Sequence, residues 1–591
     1  MNYLGLTDGQ TVPSGYEHYL WISERCTDKI QWCRERKMSF TILPENWRSE
    51  EEIQAAERYL YHVKECILEC AVSLLNDYHH TAYNKEEWRI MLGSWLEQYL
   101  GSFYDKYLKL LAAEKLGEEY ECDLYELAGC TAVDYAEYRE LLYQTDEFHL
   151  YQYSMLYEEM QPQHIHIRKK RLYEKPVRSN YPVTFGFAAR KIYHMILYVK
   201  KYLCRTQDSV VLQNCYLPNR LILQAMCMDR RITGYFYDYN RNERKKLPDS
   251  TDTVWRNRKE TLPAGADAFT GLAMKLLKQN LPVAYVEGFS FLHKKAERIF
   301  RYAMHPKAVF YACSSVSVDE VFKIYLMNIR KTNVKFCDIQ HGGNYGIECV
   351  GLMRHEYEIC DCFYTWGWEQ EDRRLCQFKR MPAAKLLGKT VRHTQSERDI
   401  LYVNYIYDKY ISTPDRDTLY YTRNRQKEIH FFQTLSSGLQ NRIVVRMFPE
   451  DYGWHTKEEL EKNVPGICFD IGSDYYESLG RAKLVVLMSW CTTAVEALYV
   501  KKPVLVLYSL DHASELAMED MELLERTGIL VQTWEKLSEQ LEKICIDIDA
   551  WWNDTARQEA VEYIKRKYIY MPEHPEKVWL DEFVSYCKDG E

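Results

Sequence analysis

Between residues 181 and 508 the chain alternates short, almost wholly apolar runs with helical patterns, and no other feature restricts its fold as strongly. The runs "DSVVLQNCYL" at 208–217, "LPVAYVEGF" at 281–289, "AVFYACSS" at 308–315 and "VKFCDIQ" at 334–340 read as strands. Each is followed by a turn and a helical stretch such as "SVDEVFKIYLMNIRK". A second series begins near residue 386, with "KEIHFFQTL" at 427–435, "NRIVVRMFP" at 441–449, "GICFDIG" at 466–472, "AKLVVLMS" at 482–489 and "KPVLVLY" at 502–508. Strands that are apolar on both faces belong to parallel sheets covered by helices on each side. At 591 residues the chain also exceeds what one hydrophobic core can organise. The expectation is an α/β protein with two Rossmann-like parallel-sheet domains.

The flanking regions read differently. Residues 50–160 are helical in pattern, and "NKEEWRIMLGSWLEQYLGSFYDKYLKLL" sets Trp88, Met91 or Leu92, Trp95, Leu96 and Tyr99 on one face. That aromatic stripe reads as core packing, with Arg89 and Glu97 off it, reaching water or a cleft. "QPQHIHIRKKRLYEKPVRSN" at 161–180 reads as an exposed polar connection, its basic strip 167–178 either solvated or laid against anionic lipid headgroups. A helical tail runs from about 535 to 591. These textures divide the chain into an α/β domain, 1–385, that includes the helical region; a second α/β domain, 386–550; and a helical tail packing back, 551–591. No GxGxxG fingerprint is present, and "LLGKT" at 386–390 is no P-loop because Ala383 stands where its first glycine belongs. Two parallel domains without those fingerprints fit best the twin-domain sugar-nucleotide architecture, GT-B, with its sheets facing a cleft.

Composition excludes several classes. A net charge of −9 argues against a dedicated nucleic-acid binder, though a few local arginines suffice to hold a small anion. The N-terminus shows no basic segment followed by an apolar one, and no apolar run reaches the ~18 residues needed to span a bilayer. The expected compartment is therefore the cytoplasm, where the 19 cysteines stay reduced. Cys66 and Cys70, or Cys360 and Cys362, lack the spacing of a zinc framework, and His164 and His166 have no third ligand nearby in sequence. No metal is expected. The 49 tyrosines and 14 tryptophans suit cores and the stacking of sugars or bases alike.

Two segments carry candidate chemistry. "KFCDIQHGGNYGI" at 335–347 delivers Gln340 and His341 from a strand end straight into Gly342 and Gly343. Paired glycines allow close backbone approach, and the carboxyl ends of parallel strands are where such sheets bind ligands. "SDYYESLGRAKLVVLMSWCTTAVEALYVKKPVLVLY" at 473–508 ends a strand in Ser489, Trp490, Cys491, Thr492 and Thr493 and begins a helix at Ala494. Hydroxyls there either cap the helix or join its free N–H groups in an anion site, with Glu496 reaching ribose hydroxyls or supporting the cap. Arg446, near a strand end in "RIVVRMFPEDYGW", suits a phosphate or a structural salt bridge. Glu287, ending "VAYVEG", is a second candidate base, and Asp361 a candidate nucleophile or structural carboxylate.

The order Thr492-Thr493-x-x-Glu496-Ala497 followed by Lys502-Pro503-Val504 resembles the donor-nucleotide half of GT-B glycosyltransferases. Taken with "WRIMLGSWLEQYLGSFYDKY", "YEICDCFYTWGW", "VVRMFPEDYGW" and "ELLERTGILV", these motifs resemble the transferase family encoded in O-antigen and other surface-polysaccharide clusters, often named after a leptospiral locus. That family is similar to bacterial Kdo transferases and CDP-glycerol polymerases. The resemblance implies a glycosyltransferase moving a sugar from a nucleotide-activated donor, by preference a CMP-ulosonic acid such as CMP-Kdo, to a surface glycan or lipid-linked glycan acceptor. Peripheral membrane association goes with such an acceptor, and no cofactor beyond the donor substrate is implied. Arg446, Ser489, Thr492 and Thr493 would hold the leaving phosphate and Glu496 the ribose. His341 or Glu287 would activate the acceptor, with Gln340, Gly342 and Gly343 shaping the cleft. Some CMP-sugar transferases carry His-Pro where this chain has Phe448-Pro449, so that contact is absent. The rival readings are a CDP-polyol phosphotransferase of cell-surface polymer synthesis and a non-catalytic glycan-binding scaffold.

Overall fold

Six of the nine apolar runs become parallel strands, and the sheets number three rather than two. The computed structural model describes residues 2–588 except 128–129, 174, 176–194, 196–206, 237–238, 240–242, 260–264, 313–317, 349–351, 371–375, 415–416 and 473. The first sheet is ordered β3-β2-β1-β4-β5 and comprises β1 (Asn2–Gly5), β2 (Tyr19–Trp21), β3 (Phe40–Ile42), β4 (Tyr120–Glu126) and β5 (Ile165–Leu172). The second, ordered β11-β10-β9-β8-β6-β7, comprises β6 (Val210–Gln213), β7 (Ile232–Tyr235), β8 (Ala308–Ala312), β9 (Lys335–Ile339), β10 (Cys362–Thr365) and β11 (Gln377–Arg380). The third, ordered β13-β12-β14-β15-β16, comprises β12 (Ile400–Val403), β13 (Ile443–Arg446), β14 (Leu484–Leu487), β15 (Val504–Leu507) and β16 (Leu530–Val531). Every pairing within them is parallel.

Each strand order reverses once, between β1 and β4, between β6 and β8, and between β12 and β14. Such a reversal opens a crevice at the carboxyl ends of the strands, where doubly wound sheets bind ligands. The second and third sheets form the expected GT-B-like pair. They share a core in which Tyr345, Trp366 and Trp368 of the second meet Trp490, Ala494 and Val495 of the third. The C-terminal helix Pro575–Ser585 returns to the second sheet: the Trp579 indole donates to Pro382 O at 3.0 Å, and Phe583 packs edge-on to Phe310.

Several expectations from sequence need correction. Residues 50–160 are not wholly helical, because Tyr120–Glu126 is the fourth strand of the first sheet. Nor is 161–180 simply an exposed connection. Ile165–Leu172 pairs along β4 as an edge strand, and its cations face carboxylates, Arg168 and Arg171 on Asp123 and Lys170 on Glu158. Residues 176–180 lie outside the described residues, as do 313–315 of the third strand candidate. "LPVAYVEGF" is no strand: a short 3₁₀ turn, Val283–Tyr285, leads into the helix Phe289–Ile299. "KEIHFFQTL" lies in the helix Asp417–Thr434, and "GICFDIG" contributes only one isolated bridge, Phe469 to Val445. In each case a short buried apolar run satisfies strand and helix equally, and tertiary packing decides.

The aromatic helix Lys85–Glu114 is buried on nearly every side. It pairs with Glu50–His79, and both begin in capping boxes, Ser49 with Glu52 and Asn84 with Glu87. Its stripe is core, but Arg89 and Glu97 reach neither water nor cleft. Arg89 pairs with Glu65, and Glu97 accepts from Lys64 at 2.9 Å. Among the described residues no helix is long and apolar enough to cross a membrane.

Candidate functional site

Strand β9 ends at Ile339, and the next residue, Gln340, organises the turn that follows. Its buried amide oxygen accepts from the Trp366 N–H at 2.8 Å and the Trp368 indole at 2.9 Å, and its amide nitrogen donates to Gly342 O at 2.7 Å. One side chain thus ties the glycine turn to the tryptophan segment after β10. Gly343 is required for contact rather than for an unusual φ. A Cβ there would lie 2.7 Å from Val495 Cγ2 and 3.0 Å from Cys491 O of the third sheet. Bare, its N–H donates to Thr492 Oγ1 at 3.0 Å. The strand delivers a histidine into glycines because the backbone there touches the facing domain.

His341 sits at that seam. Its Nδ1 is 2.9 Å from the Tyr345 hydroxyl, which donates in turn to Glu356 Oε2 at 2.7 Å. Tyr216, which follows β6 in a left-handed turn, stacks on the imidazole at 6.1 Å between ring centroids. His341 therefore lies beside the reversal between β6 and β8. Burial, and then the neighbouring cations Lys385 and Arg139, push its imidazole down to about 4, so that it is neutral at pH 7.

The facing element is the helix Thr492–Tyr499, entered from β14 through buried Ser489 and Trp490. Its hydroxyls do not cap it. The N-cap is Cys491, without a side-chain cap bond; Thr492 accepts from Gly343, and Thr493 Oγ1 lies 3.0 Å from Cys491 Sγ. Glu496 points into the same region without supporting a cap. Burial pushes its carboxyl up, Lys385 and Lys389 oppose that rise, and Lys385 Nζ stands 3.9 Å away. Lys385 thus bears on both His341 and Glu496. Arg446 ends β13 on the same carboxyl edge, but its NH1 is engaged with Asp470 Oδ2 at 2.8 Å, Gly472 O at 2.9 Å and Ser478 Oγ at 3.2 Å. That is the geometry of the salt-bridge alternative.

Two candidates stand elsewhere. Glu287 is not at a strand end. Arg256 grips it through Nε at 2.8 Å and NH2 at 2.7 Å, and the Asp252 N–H adds a third bond at 2.7 Å. Asp361 precedes β10, at the amino end away from the seam, where it accepts from the Phe336 N–H at 2.8 Å. Conversely, sequence reasoning passed over Tyr216 and Tyr345, which contact His341, Glu356, which Tyr345 links to it, and Lys385 and Arg139, whose charges act on it. Only Tyr345 offered a signal, by its place in the glycine motif; the others are distant in sequence. Among the described residues no group of three or more His, Cys, Asp or Glu is arranged to hold a metal ion.

A family model described as LIC12162 family transferase matches residues 10–583. No curated protein matches the chain.

Proposed function

The chain belongs to the LIC12162 family of transferases, and on that premise we propose that it transfers a sugar from a nucleotide-activated donor to a surface glycan acceptor, with a CMP-ulosonic acid such as CMP-Kdo as the donor. The observation that carries this reading is the position of His341 where the second sheet meets the helix Thr492–Tyr499, its imidazole kept neutral by burial and by the charges of Lys385 and Arg139. In the reaction His341 accepts the proton of an acceptor hydroxyl while that oxygen bonds to the anomeric carbon. The bond from that carbon to the phosphate oxygen breaks, and the nucleotide leaves with the electron pair. Lys385, Arg139 and the amino end of the helix offset the charge that develops on the leaving phosphate. Thr493 and Ser489 line the same strand-to-helix turn, and Glu496 meets the ribose. Arg446 supports the neighbouring loop through Asp470 instead of gripping the phosphate directly.

The same two cations suit a phosphoryl-polyol donor. Product mass separates the readings, because the rival adds phosphorus to the acceptor. The first test is a thermal-shift panel of CMP, CDP, UDP, GDP and dTDP. CMP should stabilise selectively, by about 2.7 kcal/mol at a hundredfold excess over Kd. Lys385→Ala should weaken its binding about tenfold, the effect of losing one charge-assisted contact of about 1.5 kcal/mol. Selective stabilisation by another nucleotide would replace the donor assignment, and none with any of the five would overturn the enzyme reading.

A further inference from the structure

We propose that Tyr345 and Glu356 are positioning residues that hold the His341 imidazole with its proton on Nδ1, leaving the Nε2 lone pair as the ring's only proton acceptor. The inference rests on the reading of His341 as the base and adds which nitrogen acts and what keeps it available. It follows from counting protons along a chain of three side chains. The Tyr345 hydroxyl has one proton and donates it to Glu356 Oε2 at 2.7 Å. Its contact with His341 Nδ1 at 2.9 Å must then run the other way, from Nδ1–H to the phenol oxygen. Among the described residues no hydrogen bond to Nε2 competes with this. The partner of one imidazole nitrogen determines the state of the other.

The direction of the chain depends on Glu356 being the ionised end, and a second carboxyl supports that. Asp338, on β9 two residues before Gln340, is fully buried, and neither of its carboxyl oxygens has a hydrogen-bond partner among the described residues. Burial first, and then the charge of Glu356, push Asp338 well above the carboxylate range. Two neighbouring buried carboxyls do not both ionise. Asp338 keeps its proton, and we assign the charge of the pair to Glu356, which receives the tyrosine hydrogen bond. Tyr345 is itself held in place, with its ring stacked on Phe363 at 5.4 Å. The imidazole is in turn covered by Tyr216.

The tautomer can be read directly, without a donor, in protein labelled with ¹⁵N-histidine. Two-bond proton–nitrogen correlations distinguish a protonated from an unprotonated ring nitrogen, and loss of one set in His341→Gln assigns the residue. The wild-type protein should show Nδ1 protonated and Nε2 bare. Tyr345→Phe keeps the ring that packs on Phe363 and removes the acceptor, so its His341 should move toward the Nε2–H form. Glu356→Gln removes the carboxylate charge toward which the phenol proton points and so should lower the preference for the Nδ1–H form. Once an acceptor is in hand, both variants should lower kcat with little change in KM for the donor. An Nε2–H tautomer in the wild-type protein, or an unchanged Nδ1–H tautomer in Tyr345→Phe, would overturn the proposal. A wrong donor or reaction class would leave the tautomer result intact, so the two readings fail separately.

Discussion

His341 is neutral because folding removes it from water and exposes it to the charges of Lys385 and Arg139. Its ordinary value near 6.5 falls to about 4, which has a definite sign for stability. Above pH ~6.5 neither the folded nor the unfolded chain protonates this residue. As the pH falls from 6.5 toward 4 the unfolded chain takes up the proton first, so the folded state loses stability, by about 3 kcal/mol in all. Compared with His341→Gln, which has no such group, the wild-type protein should lose that amount between pH 7 and pH 4 in urea unfolding. A constant difference across the range would contradict it. At this scale the two segments that the sequence singled out are joined, Gly343 beside His341 donating to Thr492. Of the two roles the sequence offered the hydroxyls, capping is not the one Thr492 takes, since it accepts from Gly343 across the domain seam. A motif specifies which groups a turn offers; what they bond to depends on the surface opposite.

The helices and strands follow their local chemistry where that chemistry is strong. The capping boxes at Ser49 and Asn84 start long helices, and the both-faces-apolar runs of β8, β14 and β15 are central strands. What holds the helices to one another was less legible. Lys64, on the helix Glu50–His79, is buried between Glu97 and Glu358, 2.9 Å from each, and so links both long helices to the helix Leu352–Ile359 that carries Glu356. Burial alone would push the Lys64 ammonium down, but the two carboxylates outweigh it and hold it above its ordinary value. Burial pushes Glu97 up to about 7 even with Lys64 beside it. Lys64→Ala would leave two buried carboxylates facing each other and should destabilise the protein by about 3–5 kcal/mol near pH 8. The loss should shrink toward pH 5.5, where Glu97 takes up a proton. Urea midpoints at the two pH values check both the size and the trend.

At the scale of the whole molecule the third sheet is tied to the first as well as to the second. The segment after β12 runs back to the crevice between β1 and β4. There Lys409 Nζ meets Asp8 Oδ2 at 2.8 Å, and the Tyr410 hydroxyl accepts from the Asp8 N–H at 3.0 Å and donates to Asp146. The Tyr410 ring stacks on His149 at 4.0 Å. The reversal point where a doubly wound sheet ordinarily takes a ligand is met by the chain's own tyrosine. Tyr410→Ala should cost about 3 kcal/mol, in the range of a buried aromatic truncated to alanine. It should also enlarge the radius of gyration in small-angle scattering as the third sheet loosens from the first. An unchanged radius would show that the seam at Thr492 suffices to hold it. The sequence by itself determined the α/β class, the parallel pairing of the apolar runs and the turn around His341, because these depend on local periodicity and on residue types a few positions apart. Only the tertiary structure decided that the first sheet exists, since its strands β1–β5 are mostly short, scattered among helices and, in β5, strongly charged. It alone set Tyr216 on one imidazole, linked Glu356 to it through Tyr345, brought the charges of Lys385 and Arg139 to bear on it, and engaged Glu287 and Arg446 in ion pairs. Burial and charge compensation depend on which distant surfaces meet, and no local pattern encodes that.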